Sequence, residues 1–102
     1  MVYELMSIEN IAADIGQNFR LARASLSLRQ EDLAKLSGAS LQAIKNLEGG
    51  GKVELVTFLR VAKALNIDKE IWKVCQPKPN TLDELQRIEA ARLSNSRVRV
   101  LS

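Results

Sequence analysis

Apolar residues recur every three or four positions in one segment after another, and this spacing places them on one face of an α-helix. The first such series starts at Ile8, passes through Phe19 and ends at Leu26. Before residue 97, no segment alternates apolar and polar residues in the manner of a half-buried strand. The pattern therefore predicts that the chain is all-α up to Cys75.

Capping residues and glycines mark where these helices begin and end. Ser7 and Ser40 are predicted to cap helices, because a serine hydroxyl accepts hydrogen bonds from the free amides of a first turn. Gly38 is predicted to end a helix, since glycine adopts a positive φ without steric cost. We expect five helices in this part of the chain, over residues 8–26, 29–37, 40–48, 55–66 and 68–75. Their inward faces are predicted to include Leu33, Leu36, Leu55, Phe58, Leu59, Ala62 and Leu65.

The segment "QPKPN" interrupts the helical pattern, because each proline favours extended backbone around it. We therefore predict a first domain over residues 1–76 and a C-terminal extension over residues 77–102. Thr81 and Glu84 have the spacing of a capping box, which predicts a sixth helix over residues 81–93. The last residues alternate valine and arginine, so we expect either an exposed strand, which would pair with another chain, or a disordered end.

Composition removes several classes of function. The chain has 102 residues, enough for one modest core, with no histidine and a single cysteine. These counts argue against His-based catalysis, Cys/His triads and Cys/His zinc clusters, so we expect no enzyme activity, no metal and no cofactor. The formal net charge of +3 is compatible with a polyanionic partner. One unpaired cysteine and an N-terminus without a signal peptide or membrane span lead us to expect a cytoplasmic protein.

The third predicted helix has two unlike sides when it is drawn on a helical wheel. Its inner side carries Ala43, Ile44, Leu47 and Glu48, and its outer side carries Leu41, Gln42, Lys45 and Asn46. Amides pair with adenine through a donor and an acceptor together, lysine prefers the guanine acceptors, and leucine contacts the thymine methyl group. The outer side therefore suits base edges in a DNA groove better than it suits a protein core.

Several unlike constraints coincide between Ile15 and Gly50: a small residue at Ala34, a glycine at the turn, and aliphatic residues at Ile44 and Leu47. In these residues the chain resembles the helix-turn-helix family of phage repressors and Cro proteins, the xenobiotic-response-element type. The resemblance covers about residues 8–75. It implies a five-helix, all-α domain that binds double-stranded DNA through a recognition helix at about residues 40–48.

Two positions depart from the family pattern. Arg29 stands where the family usually has a serine or threonine; arginine cannot cap the second helix, although it can reach a phosphate. Ser37 stands where an apolar residue is usual. Both departures weaken the seating of the second helix slightly, and neither removes the motif.

The resemblance also implies roles for individual residues. Base contacts are expected from Leu41, Gln42, Lys45 and Asn46, and contacts to the DNA backbone from Gln30, Arg29, Ser40, Lys52 and Arg20. Arg23 and Glu48 are expected to form a partly buried salt bridge that joins the first helix to the third. Two alternatives stay open at this point: Lys45 suits a phosphate as well as guanine, and Gln30 and the arginines are also residues that an ordinary solvated helix carries.

Specific reading of DNA normally requires two helix-turn-helix units, which predicts a homodimer on a palindromic operator. The apolar residues Ile71, Trp72 and Val74 of the fifth helix are the expected dimer or partner contacts. With its tail, the chain also resembles HipB-like antitoxin regulators, which implies a repressor of its own operon in a HipBA-type toxin–antitoxin system, with a kinase-like toxin as partner. The alternative function is a protein-interaction module of the same fold that does not bind specific DNA sequences.

Overall fold

A computed structural model describes the backbone of residues 3–101 and the side chains of residues 4–94. Over residues 3–101 the fold is all-α, with one short 3-10 turn, six α-helices and no strand. The helices are α1 (Ile8–Ser25), α2 (Gln30–Ser37), α3 (Leu41–Glu48), α4 (Leu55–Ala64), α5 (Asp68–Val74) and α6 (Leu82–Leu101). The chain divides into two compact units, Met1–Ile71 and Trp72–Ser102. Within the described range, no helix combines the length and the apolar character that crossing a membrane requires.

Most helices of the first unit begin and end close to the predicted positions, because the predicted caps form. The Ser7 hydroxyl oxygen accepts from the backbone N–H of Asn10 at 3.0 Å at the start of α1. The Ser40 hydroxyl oxygen accepts from the backbone N–H of Ala43 at 3.0 Å at the start of α3. Gly38 ends α2 with a φ of 77°. Helices α2 and α3 are therefore joined by a turn of three residues, 38–40. Its first residue, Gly38, has a positive φ that glycine adopts without strain.

Helix α2 starts without help from the side chain of its N-cap residue. In the described part of the chain, the Arg29 side chain makes no capping hydrogen bond. The carboxylate of Asp32 instead accepts from the backbone N–H of Arg29 at 2.9 Å. An acidic residue in the first turn also interacts favourably with the positive end of the helix dipole. Asp32 therefore supplies only the reciprocal half of a capping box, and it does not accept from the first-turn amides that a serine or threonine at position 29 would bind.

The core of the first unit takes side chains from α1 to α4 and the residue after α4. Its buried members are Phe19, Leu33, Ile44, Leu47, Val61, Ala62 and Leu65. The rings of Phe19 and Phe58 lie 5.1 Å apart between centroids, which joins α1 to α4. Removing one large aliphatic side chain from water stabilises the fold by about 1.5–3 kcal/mol. Helix α3, which contributes Ile44 and Leu47, is therefore fixed from its inner side.

Periodicity alone misplaces some apolar side chains. Leu36 is 64% exposed and Leu55 is 70% exposed, although both are predicted to point inward. Helix α2 is only eight residues long and buries one leucine, Leu33. Leu55 is the first residue of α4, whereas the packed part of α4 starts at Phe58. Val61, which the pattern does not single out, is 1% exposed.

The exposed strand, one of the two alternatives expected for the end of the chain, is wrong, because the backbone of α6 remains helical to Leu101. The start of α6 agrees with the prediction: the Thr81 hydroxyl oxygen accepts from the backbone N–H of Glu84 at 3.1 Å. No proline or glycine interrupts residues 82–101. A helix pairs its backbone groups within itself, whereas a strand needs a neighbour for them. Two valine–arginine alternations are too short a pattern to favour a strand over a helix that satisfies its own backbone hydrogen bonds.

Helices α1 and α3 approach each other so closely that one contact has room only for glycine. Gly16, in the middle of α1, is buried. A Cβ built on Gly16 would overlap the carbonyl oxygen of Leu47 and lie 2.7 Å from that of Glu48. Both oxygens belong to the backbone of the last turn of α3, so neither can rotate away. The contact therefore fixes the C-terminal end of α3 against α1.

We expect Gly16→Ala to destabilise the protein by about 1–3 kcal/mol, because the added methyl group forces two backbone segments apart. On an open helix the same change would stabilise by roughly 0.5–1 kcal/mol, so the sign of the effect is diagnostic. Urea denaturation measures it. Gly49→Ala is the milder comparison and should cost less, since its φ of −86° suits alanine and its new Cβ would meet the Lys45 carbonyl oxygen at 3.3 Å, a tight contact without overlap. A more stable Gly16→Ala protein would contradict the close approach.

Candidate nucleic-acid interface

Helix α3 turns its polar side outward. Gln42, Lys45 and Asn46 are exposed, whereas Ile44 and Leu47 are buried. Leu41, the fourth residue predicted for this outer side, is only half-buried, so part of its side chain stays accessible. The helix therefore presents two amides and one ammonium group on a scaffold held by aliphatic side chains.

The two amides of this face are hydrogen-bonded to each other. The Nε2 group of Gln42 donates to the Oδ1 atom of Asn46 at 2.9 Å, one helical turn away. The sequence predicts that both residues are exposed, and it does not predict this bond. An i,i+4 spacing permits such a pair, but it does not distinguish paired amides from two that are solvated separately.

A shallow groove lies between the start of α3 and the start of α4. It is lined by Ser40, Gln42, Ala43, Asn46, Lys52, Val53, Glu54 and Thr57. Four residues that are predicted to contact DNA thus share one surface, although Lys52 comes after the third helix in the chain. The Lys52 ammonium group supplies the positive charge that a phosphate would need. Glu54 supplies a nearby negative charge that would oppose it.

Glu54 and Thr57 are members of this groove that the sequence analysis misses. Both lie at the start of α4, and Glu54 occupies its N-cap position. Nothing in the local sequence indicates that this turn faces α3, because a loop that includes glycines 49–51 separates the two segments along the chain. Their place follows from tertiary packing alone.

The other residues predicted to contact the DNA backbone lie at different depths. Arg20 on α1 and Arg29 before α2 are both exposed. Gln30 is half-buried, and its Nε2 group donates to the Oε1 atom of Glu48 at 3.1 Å. Gln30 is therefore bound to the last residue of α3, and only its remaining N–H and its carbonyl oxygen are free for a further partner.

Arg23 and Glu48 form a two-point ion pair between α1 and α3. The Nε atom of Arg23 lies 2.7 Å from one carboxylate oxygen of Glu48, and its Nη2 atom lies 2.9 Å from the other. The Nη1 atom of Arg23 also donates to the backbone oxygen of Leu28 at 2.8 Å. The side chains of the pair are 13% and 6% exposed, respectively. Three hydrogen bonds thus compensate the guanidinium group for the water that it loses.

The pKa of Glu48 reflects this environment. Burial of its carboxyl group acts to raise the pKa, but the hydrogen bonds from Arg23 and Gln30 act in the opposite direction. With the positive charges of Arg23 and Arg20 added, the net effect lowers the pKa of Glu48 below its ordinary value of 4.5. For Arg23 the direction is the opposite: its hydrogen bond to Glu48 raises the pKa of the guanidinium group, although burial acts to lower it. Both groups therefore carry charge at neutral pH.

The apolar residues predicted for a dimer or partner contact differ in their exposure. Ile71 is half-buried and packs against the core of the first unit. Trp72 is 67% exposed and Val74 is 68% exposed. Trp72 and Val74 are two residues apart on α5, so they do not lie on one helix face.

We expect Glu48→Ala to cost about 3–5 kcal/mol of stability, because the Arg23 guanidinium group would stay buried without its partner. The Arg23→Ala, Glu48→Ala double mutant should lose clearly less than the sum of the two single changes. The exposed pair Asp83–Arg87, whose side chains are 76% and 72% exposed, is the control. Its coupling energy should stay below about 1 kcal/mol. Additive effects at Arg23 and Glu48 in denaturant melts would contradict the ion pair.

The same pair should give stability a dependence on pH. A carboxyl group whose pKa is lower in the folded state adds stability above its unfolded pKa, and the contribution is lost as the pH falls through the folded pKa. We therefore expect the free energy of unfolding of the wild-type protein to exceed that of Glu48→Gln by a constant amount around neutral pH. The difference should shrink as the pH falls below 4.5, the ordinary value. Melts over a pH series measure it, and a difference that persists unchanged into strong acid would disprove the assignment.

No protein-family model matches the sequence, and no curated protein matches it either.

Proposed function

We propose that the chain is a sequence-specific, double-stranded DNA-binding transcriptional regulator. In this proposal α2 and α3 form a helix-turn-helix of the Cro/phage repressor type, with α3 as the recognition helix. One observation carries the proposal: α3 exposes Gln42, Lys45 and Asn46, while its inner side is fixed by the core and by the Arg23–Glu48 pair. A rigid helix with a hydrogen-bonding outer face is what reading base edges in the major groove requires.

The roles of the remaining residues follow from where they lie. Leu41, Gln42, Lys45 and Asn46 are the proposed base-contacting residues, and Ser40, Lys52, Gln30, Arg29 and Arg20 are the proposed backbone-contacting residues. Ser40 precedes α3, whose free amides and positive dipole end attract a phosphate. Gln30 would contact a phosphate with the groups that its bond to Glu48 leaves free.

The alternative, a protein-interaction module of the same fold, predicts a different surface. Interaction surfaces concentrate their binding energy in aromatic and apolar anchors. The outer face of α3 has only one apolar member, Leu41, and that residue is half-buried. This chemistry favours DNA over a protein partner for this face.

The regulator is proposed to act as a homodimeric repressor in the cytoplasm, without catalytic activity. One recognition helix reads only a few base pairs. Two copies of the chain would therefore bind a palindromic site whose half-sites lie one DNA turn, ~34 Å, apart. Exposed Trp72 and Val74 offer apolar surface for that association. A kinase-like toxin partner stays a prediction, and the strand that would have docked it is replaced by helix α6.

Selection from a library of random duplexes tests the proposal, and we expect one sequence to be enriched. On that duplex Gln42→Ala or Asn46→Ala should cost about 1–3 kcal/mol, with little change on random duplex. Lys52→Ala is the contrasting variant, because it should weaken binding to every sequence and reduce the salt slope by about one unit. Equal losses for Gln42→Ala on selected and random duplex would contradict base reading. No enrichment at all would contradict sequence-specific binding.

Light scattering tests the dimer. We expect a mass near twice the 11.3 kDa of one chain at micromolar concentration. Trp72→Ala should shift the mass towards that of the monomer, because it removes apolar surface from the proposed contact. Leu36→Ala is the matched control, since Leu36 is also exposed but lies on α2. A monomeric wild-type protein, or equal effects of the two changes, would count against this interface.

A further inference from the structure

Glu54 brings a negative charge into the groove between α3 and α4, among residues that are proposed to contact DNA. Ser40, Lys52 and Asn46 line the same groove. A phosphate that Ser40 or Lys52 binds would therefore lie close to the Glu54 carboxylate. Because like charges repel, this carboxylate acts against the contact that its neighbours would make.

The fold makes little use of the Glu54 side chain. Glu54 is exposed, and it makes no capping hydrogen bond although it occupies the N-cap position of α4. Among the side chains of residues 4–94, it has no partner in an ion pair. What remains is the attraction of an acidic group to the positive end of the helix dipole, which an aspartate at this position would also supply. Capping, pairing and packing therefore do not account for a glutamate here.

The groove otherwise favours anions of any kind. Ser40 and Glu54 are the N-cap residues of α3 and α4, so the N-terminal ends of both helices border it. Free amides and positive dipole ends attract phosphate at such places. Together with the Lys52 ammonium group, they would bind the backbone of every duplex without regard to its sequence. Glu54 places an opposing charge at this surface.

The size of the groove indicates that salt screens the repulsion only in part. The groove encloses about 360 Å³. A space of that volume is roughly 7 Å across, which is shorter than the Debye length of ~10 Å at 0.1 M salt. Two unit charges at that separation change an affinity by about 3-fold at the dielectric constant of water, and by about 50-fold at an effective value of about 20. The carboxylate is therefore close enough to a bound phosphate to weaken its binding measurably.

We propose that the Glu54 carboxylate lowers the affinity of this groove for the DNA backbone, and that it does so for every sequence alike. Gln42 and Asn46 then determine which sequence is preferred, whereas the balance between Lys52 and Glu54 determines how tightly any duplex is held. The inference rests on the proposed function, because it concerns a surface that must first bind DNA.

The variant Glu54→Gln tests the inference, because it removes the charge and keeps the length of the side chain. We expect it to bind both the selected duplex and a random duplex more tightly than wild type, by about 3- to 50-fold at low salt. The ratio between the two affinities should stay nearly unchanged. The gain should shrink as salt is added, because the Debye length falls to about 3 Å at 1 M. Fluorescence anisotropy titrations over a salt series measure all three quantities.

Two further variants separate the charge in the groove from other effects. Glu54→Asp keeps the charge, so its affinities should stay close to those of wild type. Glu9→Gln removes the same charge from an exposed residue in the first turn of α1, outside the groove. It loses a comparable interaction with a helix dipole, and it should leave both affinities nearly unchanged. Thermal melts of each variant verify that the fold is retained.

The outcomes separate this inference from the function on which it rests. Tighter binding of both duplexes by Glu54→Gln alone supports the inference. It is overturned if Glu54→Gln binds no more tightly than wild type, or if Glu54→Asp or Glu9→Gln produces the same gain. Weaker binding of the selected duplex alone also overturns it, since Glu54 would then accept from a base, such as the N4 group of cytosine. In these cases the proposed function stands. Failure of both wild type and Glu54→Gln to bind any duplex contradicts the proposed function itself.

Discussion

The ion pair between Arg23 and Glu48 is the interaction on which the position of α3 depends. It joins the last residue of α3 to α1 through two hydrogen bonds of 2.7 and 2.9 Å. Gln30 adds a bond from α2 to the same carboxylate. One carboxylate thus connects three helices, and the loss of either charge would leave the other one buried. A pair of this kind fixes geometry even where its net contribution to stability is modest.

Packing reinforces the ion pair at the same end of the helix. Gly16 lets the backbone of α1 meet the carbonyl oxygens of Leu47 and Glu48 directly. Ile44 and Leu47 are buried beneath the helix. The inner side and the C-terminal end of α3 are therefore constrained, and the side that remains free is polar. A helix constrained in this way can present side chains at fixed positions, which is the structural requirement for reading DNA sequence.

The helices could be predicted from the sequence because their signals are local. Ser7, Ser40 and Gly38 act within one turn of their own positions, and the structure places the helix ends there. The exposure of Leu36 could not be predicted, since it depends on which neighbours a short helix meets. The strand expected near the C-terminus is wrong for a related reason: a brief alternation carries less information than an uninterrupted helical backbone.

The candidate site shows the same division between local and tertiary information. The outer face of α3 follows from the helical period, and the amides there are exposed as predicted. The groove that adds Glu54 and Thr57 depends on how α3 and α4 pack. The bond between Gln42 and Asn46 depends on side-chain orientation, which no sequence pattern specifies. The groove and the bond between the amides are thus the features that sequence periodicity describes least.

We propose that the outer face of α3 contacts bases. Nuclear magnetic resonance of the side-chain NH₂ groups, with a selected duplex added to labelled protein, tests it most directly. We expect the signals of Gln42 and Asn46 to shift on the selected duplex, and to shift less on a random duplex of equal length. The signal of Gln86, an exposed amide of α6, serves as the internal reference. Unchanged signals from Gln42 and Asn46 on a duplex that binds would show that this face of α3 does not contact the bases.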